Sequence, residues 1–75
     1  MTKQEQMRQI RAEMVKTGVS NAQIARDEDV SAVYVYYVLI GKRTGYRIRR
    51  AIAKATGVPV EKLWPDTPQA YRRAA

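Results

Sequence analysis

Hydrophobic positions recur along this chain mostly at helical spacing. Met7, Ile10 and Met14 fall three and four residues apart, with Arg11 and Glu13 between them, which predicts an amphipathic helix over about residues 3–17. Thr2 and Glu5 have the spacing of a capping box, Gly18 suits a left-handed C-terminal position, and Val19 supplies the apolar residue that returns to the helix. Ser20 and Gln23 repeat the box spacing around Ala22, Ile24 and Ala25, so a second, short helix should run to about Glu28. Ser31 is a third cap, opening a segment over 32–40 that Gly41 ends. A fourth helix should begin at Thr44 or Gly45, turn Ile48, Ile52 and Ala55 inward and its arginines outward, and close at Gly57. Pro59 suits the first turn of a fifth helix, over 60–64, which Pro65 terminates. Residues 66–75 have no periodicity and are expected to be a flexible tail, leaving 1–65 as one domain.

The segment from Val33 to Ile40 sets two rules against each other. It is β-branched and aromatic throughout, so local propensity favours a strand, and Tyr46-Arg47-Ile48-Arg49 alternates well enough to pair with it as a hairpin. Context favours a helix: Val35, Val38 and Leu39 form a three–four face bracketed by the Ser31 cap and the Gly41 stop. A lone two-stranded hairpin is also poorly stable without further strands. The expected fold is therefore all-α, a compact bundle of about five helices.

Composition narrows the chemistry. Seventy-five residues, 45% of them hydrophobic, suffice for one core. Without cysteine there is no disulfide or thiolate metal site, and without histidine there is no Cys–His or Ser–His catalytic arrangement. Asp27, Glu28 and Asp29 are consecutive at a helix end, and from there three acids do not converge on one ion. No metal, cofactor, small-molecule substrate or enzymatic activity is expected. The longest apolar run, 33–40, is too short to span a bilayer, and the first five residues lack the apolar stretch of a signal peptide. A cytoplasmic protein with no membrane partner is the expectation. The net charge of +7, from 14 basic and 7 acidic residues, points instead to a polyanionic partner. The charge is segregated: residues 42–54 include Lys42, Arg43, Arg47, Arg49, Arg50 and Lys54 and no acid.

Small Ala25 lets the second and third helices approach, Val30 plugs the angle between them, and Ser31 starts the third after a tight connection. That is the physical content of a helix-turn-helix, whose second helix fits a major groove about 12 Å wide. The residues Ser20-Asn21-Ala22-Gln23-Ile24-Ala25-Arg26, Val30-Ser31, Tyr34-Val35 and Val38-Leu39-Ile40-Gly41-Lys42-Arg43 follow a recognisable pattern, as do Ala51-Ile52-Ala53-Lys54-Ala55-Thr56-Gly57-Val58-Pro59. Over residues 20–64 the chain resembles the lambda-repressor-like helix-turn-helix family, and its Leu63-Trp64-Pro65 ending is similar to that of small Ner-type regulators of Mu-like transposable phages. It departs from the family pattern at Asp29, where glycine is usual, at Glu28, where an apolar residue is usual, and at Ile40, where a small polar residue is frequent.

The resemblance implies a sequence-specific, double-stranded DNA-binding transcriptional regulator of prokaryotic or phage type. Its third helix would turn Ser31, Ala32, Val33, Tyr36 and Tyr37 toward the bases. None of these is Arg, Lys, Asn or Gln, the side chains that read purines with paired hydrogen bonds, so methyl and hydroxyl contacts carry the reading. Asn21 and Gln23 at the start of the second helix, with Lys42, Arg43, Thr44 and Arg47 after the third, are the phosphate-binding candidates. Tyr36 or Tyr37 has packing on Tyr46 or on a second subunit as its alternative, and Tyr34 and Trp64 are expected to pack on the core. A regulator this small is expected to act as a homodimer on DNA or as several copies on repeated sites. Two other functions remain open: a protein-interaction module docking through the apolar third helix, and a sequence-independent architectural nucleic-acid binder.

Overall fold

The computed structural model describes residues 2–71, and the expected helices are built outward from their caps. Helix α1 spans Lys3–Thr17. The Thr2 hydroxyl accepts the Glu5 N–H at 3.1 Å and the Glu5 carboxylate accepts the Thr2 N–H at 2.9 Å, so the capping box is complete. The Thr2 N–H first, and the Thr2 hydroxyl beside the carboxyl second, hold the exposed Glu5 carboxyl below the ordinary glutamate pKa. At the other end Gly18 is left-handed (φ 74°) and Val19 donates its N–H to the Met14 carbonyl at 2.8 Å.

Helix α2, Asn21–Glu28, starts from Ser20, whose hydroxyl accepts the Gln23 N–H at 3.1 Å. It ends by the same geometry as α1, with Asp29 in the glycine position. Asp29 is left-handed at φ 57°, and the Val30 N–H bonds the Ala25 carbonyl at 2.9 Å. A short polar side chain tolerates this conformation better than other non-glycine residues, which is how the turn survives without glycine.

The contested segment is helical: α3 spans Ala32–Leu39, capped by Ser31, whose hydroxyl accepts the Tyr34 N–H at 3.1 Å. Val35, Val38 and Leu39 are buried, as the three–four face required. The expected last residue, Ile40, is the cap.

Helix α4 spans Tyr46–Thr56, starting one or two residues later than expected, and it overturns two expectations about its faces. Ala55 is exposed and Ala53 and Thr56 are buried in its place; the Thr56 hydroxyl is satisfied by the Ile52 carbonyl at 2.8 Å. With the stripe running through Ile48, Ile52, Ala53 and Thr56, Arg49 falls on the inner face and is only 4% exposed, not outward. Helix α5, Val60–Leu63, follows Pro59, and Trp64 seals the base of the core.

The packed unit continues past residue 65. Thr67 is buried, donating its hydroxyl to the Trp64 carbonyl at 2.7 Å and accepting from Arg49 at 3.2 Å; Asp66 pairs with the same guanidinium nitrogen at 3.2 Å. A 3-10 turn at Gln69–Tyr71 then brings the Tyr71 ring onto Tyr46, centroids 4.5 Å apart. The first part of the expected tail is thus docked, because the buried arginine requires polar partners that hydrophobic periodicity does not register. The remainder, 72–75, lies outside the described residues.

The five helices close around one core. Helix α2 lies chiefly on α3, and α4 is the hub that α1, α2, α3 and α5 all touch. Ile10, Ile24, Val35, Ile48, Ile52 and Trp64 meet at its centre. Among the described residues no helix is long and apolar enough to cross a membrane.

Candidate nucleic-acid interface

Because α3 buries only one face, its apolar excess lies outside. Ser31 and Ala32 are exposed, Val33 is 57% exposed, Tyr36 is 44% exposed and Tyr37 is half-buried beside it. The two tyrosine rings lie 6.2 Å apart, tilted by 48°. Neither takes the expected alternative of packing on Tyr46, which stacks on Tyr71. Tyr34, on the same helix, turns to the core. The Ser31 hydroxyl already caps the helix as an acceptor, which leaves its O–H and one lone pair for an outside contact.

The loop after α3 is fastened to the helix end. Lys42 and Arg43 both donate their N–H groups to the Tyr37 carbonyl, at 2.9 and 3.2 Å, and the Lys42 ammonium lies 4.8 Å above the Tyr37 ring. Lys42, Arg43 and Thr44 are all exposed. The Ser31 cap and four outward side chains of α3 thereby adjoin three polar side chains of the loop, joined where Lys42 covers Tyr37. On α2, Asn21 is half-buried and Gln23 exposed, and the Gln23 N–H is spent on the Ser20 cap.

Arg47 does not point freely with the loop. Its Nε lies 3.1 Å from the Glu28 carboxylate, and its terminal nitrogen donates to the Glu28 carbonyl. A cation there also meets the negative end of the α2 dipole. This explains how Glu28 is accommodated where the family pattern has an apolar residue: the acid stays at the surface as the partner of α4's first arginine. Asp27 and Asp29 on either side are exposed.

Two further cationic residues lie near this surface, and one of them, Lys3, carries no local signal in the sequence. Arg49, two residues beyond Arg47, lies behind it, between the rings of Tyr46 and Trp64 at 5.2 and 5.5 Å. Lys3 comes from the far end of the chain and lays its side chain against Gly41, where a Cβ would sit 3.3 Å from the lysine Cδ. Only the fold brings positions 3 and 41 together. A stripe through 48, 52, 53 and 56 would have placed Arg49 inward from sequence, had Ala53 and Thr56 been preferred to Ala55.

No family model, curated protein or solved structure matches this chain. Its functional reading therefore rests on the geometry of α3 and its loop.

Proposed function

We propose that this chain is a double-stranded DNA-binding transcriptional regulator of the lambda-repressor-like helix-turn-helix kind, of prokaryotic or phage type. The observation that carries this reading is the continuity of α3's outward face with an anchored, exposed Lys42-Arg43-Thr44 loop. A helix with its side chains is about 10–12 Å across, which fits a major groove about 12 Å wide. Docked there, Ala32 and Val33 offer methyl contacts to thymine, and the Tyr36 and Tyr37 hydroxyls offer one donor and acceptor each. Lys42, Arg43 and Thr44 take phosphates flanking the groove, and the first turn of α2, with Asn21 and Gln23, takes the backbone on the other side. Arg47 joins them with the guanidinium donors that Glu28 leaves free.

With no side chain on α3 able to make a bidentate purine contact, affinity leans on phosphates and DNA shape, and binding should fall steeply with salt. One such module covers limited surface, so two copies on neighbouring half-sites are expected. Selection from a random duplex library at about 150 mM salt tests the reading, since non-specific binding is weak there. Recovery of one motif, with half-sites about one helical turn apart, supports a dimeric regulator; no enrichment sinks sequence-specific binding. Arg43→Ala should weaken binding to all duplexes alike.

The exposure of Val33 and Tyr36 favours one second reading, a module that docks a protein through α3. Its sign is self-association of the purified chain in light scattering without DNA, together with an empty selection.

A further inference from the structure

Resting on the DNA-binding reading above, we infer that Lys3 is a phosphate ligand of the same surface, completing with Thr44 a backbone seat that spans α1 and the loop after α3. The lysine's aliphatic stem is stacked on Gly41, with Cδ, Cε and Nζ 3.3, 3.5 and 3.6 Å from the position a Cβ would take there. A β-carbon at Gly41 would crowd this stem, and the residue's φ of 83° independently favours glycine. The ammonium therefore lies beside Gly41, on the wall of a cleft that Thr44 also lines.

Lys3 makes no ion pair among the described residues; the ion pairs there engage Lys16, Arg47 and Arg49. The nearest acid in sequence, Glu5, is tied to the Thr2 N–H. Behind the ammonium lies a cleft of about 470 Å³ whose wall includes Lys3, Gly41, Thr44, Arg49 and Asp66. Asp66 offsets the charge of Arg49 within it, so Lys3 is the uncompensated cation at this cleft. The helix end itself is not the site, because Thr2 and Glu5 occupy it. A lysine ammonium with three rotatable donors, on a cleft that Thr44 also lines and close in chain to Lys42 and Arg43 through Gly41, suits a phosphodiester approached at a loosely defined angle.

The test is the salt dependence of binding to a mixed-sequence duplex of about 20 base pairs, measured by fluorescence anisotropy with the full chain at about 50–300 mM NaCl. Lys3→Gln keeps a side chain over Gly41 and removes the charge. It should cost about eightfold in affinity at 0.1 M salt and make the log–log slope shallower by about 0.9, the effect of one phosphate contact. Lys3→Arg should restore both. Lys16→Gln, about 20 Å away at the other end of α1, should leave the slope unchanged. An unchanged slope in Lys3→Gln, while Arg43→Gln loses about one contact, overturns the role of Lys3 and leaves the DNA-binding reading standing. Equal losses in Lys3→Gln and Lys16→Gln also overturn it, by showing an effect of net charge alone. Absence of duplex binding by the unaltered chain at about 50 mM NaCl removes the inference and the reading together.

Discussion

Helices α3 and α4 lie side by side and invert what their compositions suggest. Helix α3 is Ala-Val-Tyr-Val-Tyr-Tyr-Val-Leu, without a charge, yet only Val35, Val38 and Leu39 are buried, and Val33 and Tyr36 stand in solvent. Helix α4 carries Arg47, Arg49, Arg50 and Lys54, yet it is the hub of the core and buries an arginine within it. Position on the helix, and not residue type, governs burial here. Apolar surface left outside in a protein this small is surface that another molecule can cover. Charge taken inside must bring its partners, and Arg49 brings Asp66, Thr67 and two aromatic rings.

The contrast is broken most strongly from the inside of α4. Ile52→Ala should lower unfolding stability by about 3 kcal/mol in urea titrations, whereas Val33→Ala on α3 should stay within about 0.5 kcal/mol while altering DNA site preference. Equal losses at the two positions would mean that the outer face of α3 is covered in the free protein. Arg49→Ala should cost about 2–3 kcal/mol through lost packing of its stem and the lost Thr67 bond, and Arg49→Met, which keeps a stem of similar length, about 1 kcal/mol. Asp66 is 71% exposed and water screens its pairing, so Asp66→Asn should cost no more than about 1 kcal/mol. On the outer side of α4, Glu28→Gln releases Arg47 and removes an acid beside the proposed phosphate-binding surface. Affinity for mixed-sequence DNA in anisotropy should rise about fivefold at 0.1 M salt with little change in stability. The smallest effect lies far from both helices, at Glu5. Its folded pKa is depressed, so its contribution is present above the unfolded glutamate value and is lost as pH falls through the lower folded value. Urea midpoints of Glu5→Gln should lack that acid-side decline, since glutamine completes a capping box without titrating.

Much of the fold was legible because its signals are local. Thr2, Ser20 and Ser31 each cap the helix they precede, and Gly18 and Gly57 end α1 and α4 where the pattern required. The outward positions of α3 and the exposure of Lys42, Arg43 and Thr44 also follow from helical spacing and a glycine stop. Arg47 was legible as a surface cation but not as the partner of Glu28, nineteen residues earlier in the chain.

What the sequence determined by itself is the set of helices, their ends and an all-α bundle with a segregated positive charge. Capping, glycine geometry and three–four periodicity act within a few residues and need no knowledge of the rest. Even α3, whose β-branched composition favours a strand, was legible as a helix from its Ser31 cap, its three–four face and the Gly41 stop. Tertiary structure alone decided which groups meet the buried Arg49, that Asp66, Thr67 and Tyr71 dock, and that Lys3 reaches Gly41. Each of these depends on which groups from distant parts of the chain arrive to satisfy a buried charge or to cover a gap. That is a property of packing in three dimensions, and local pattern does not carry it.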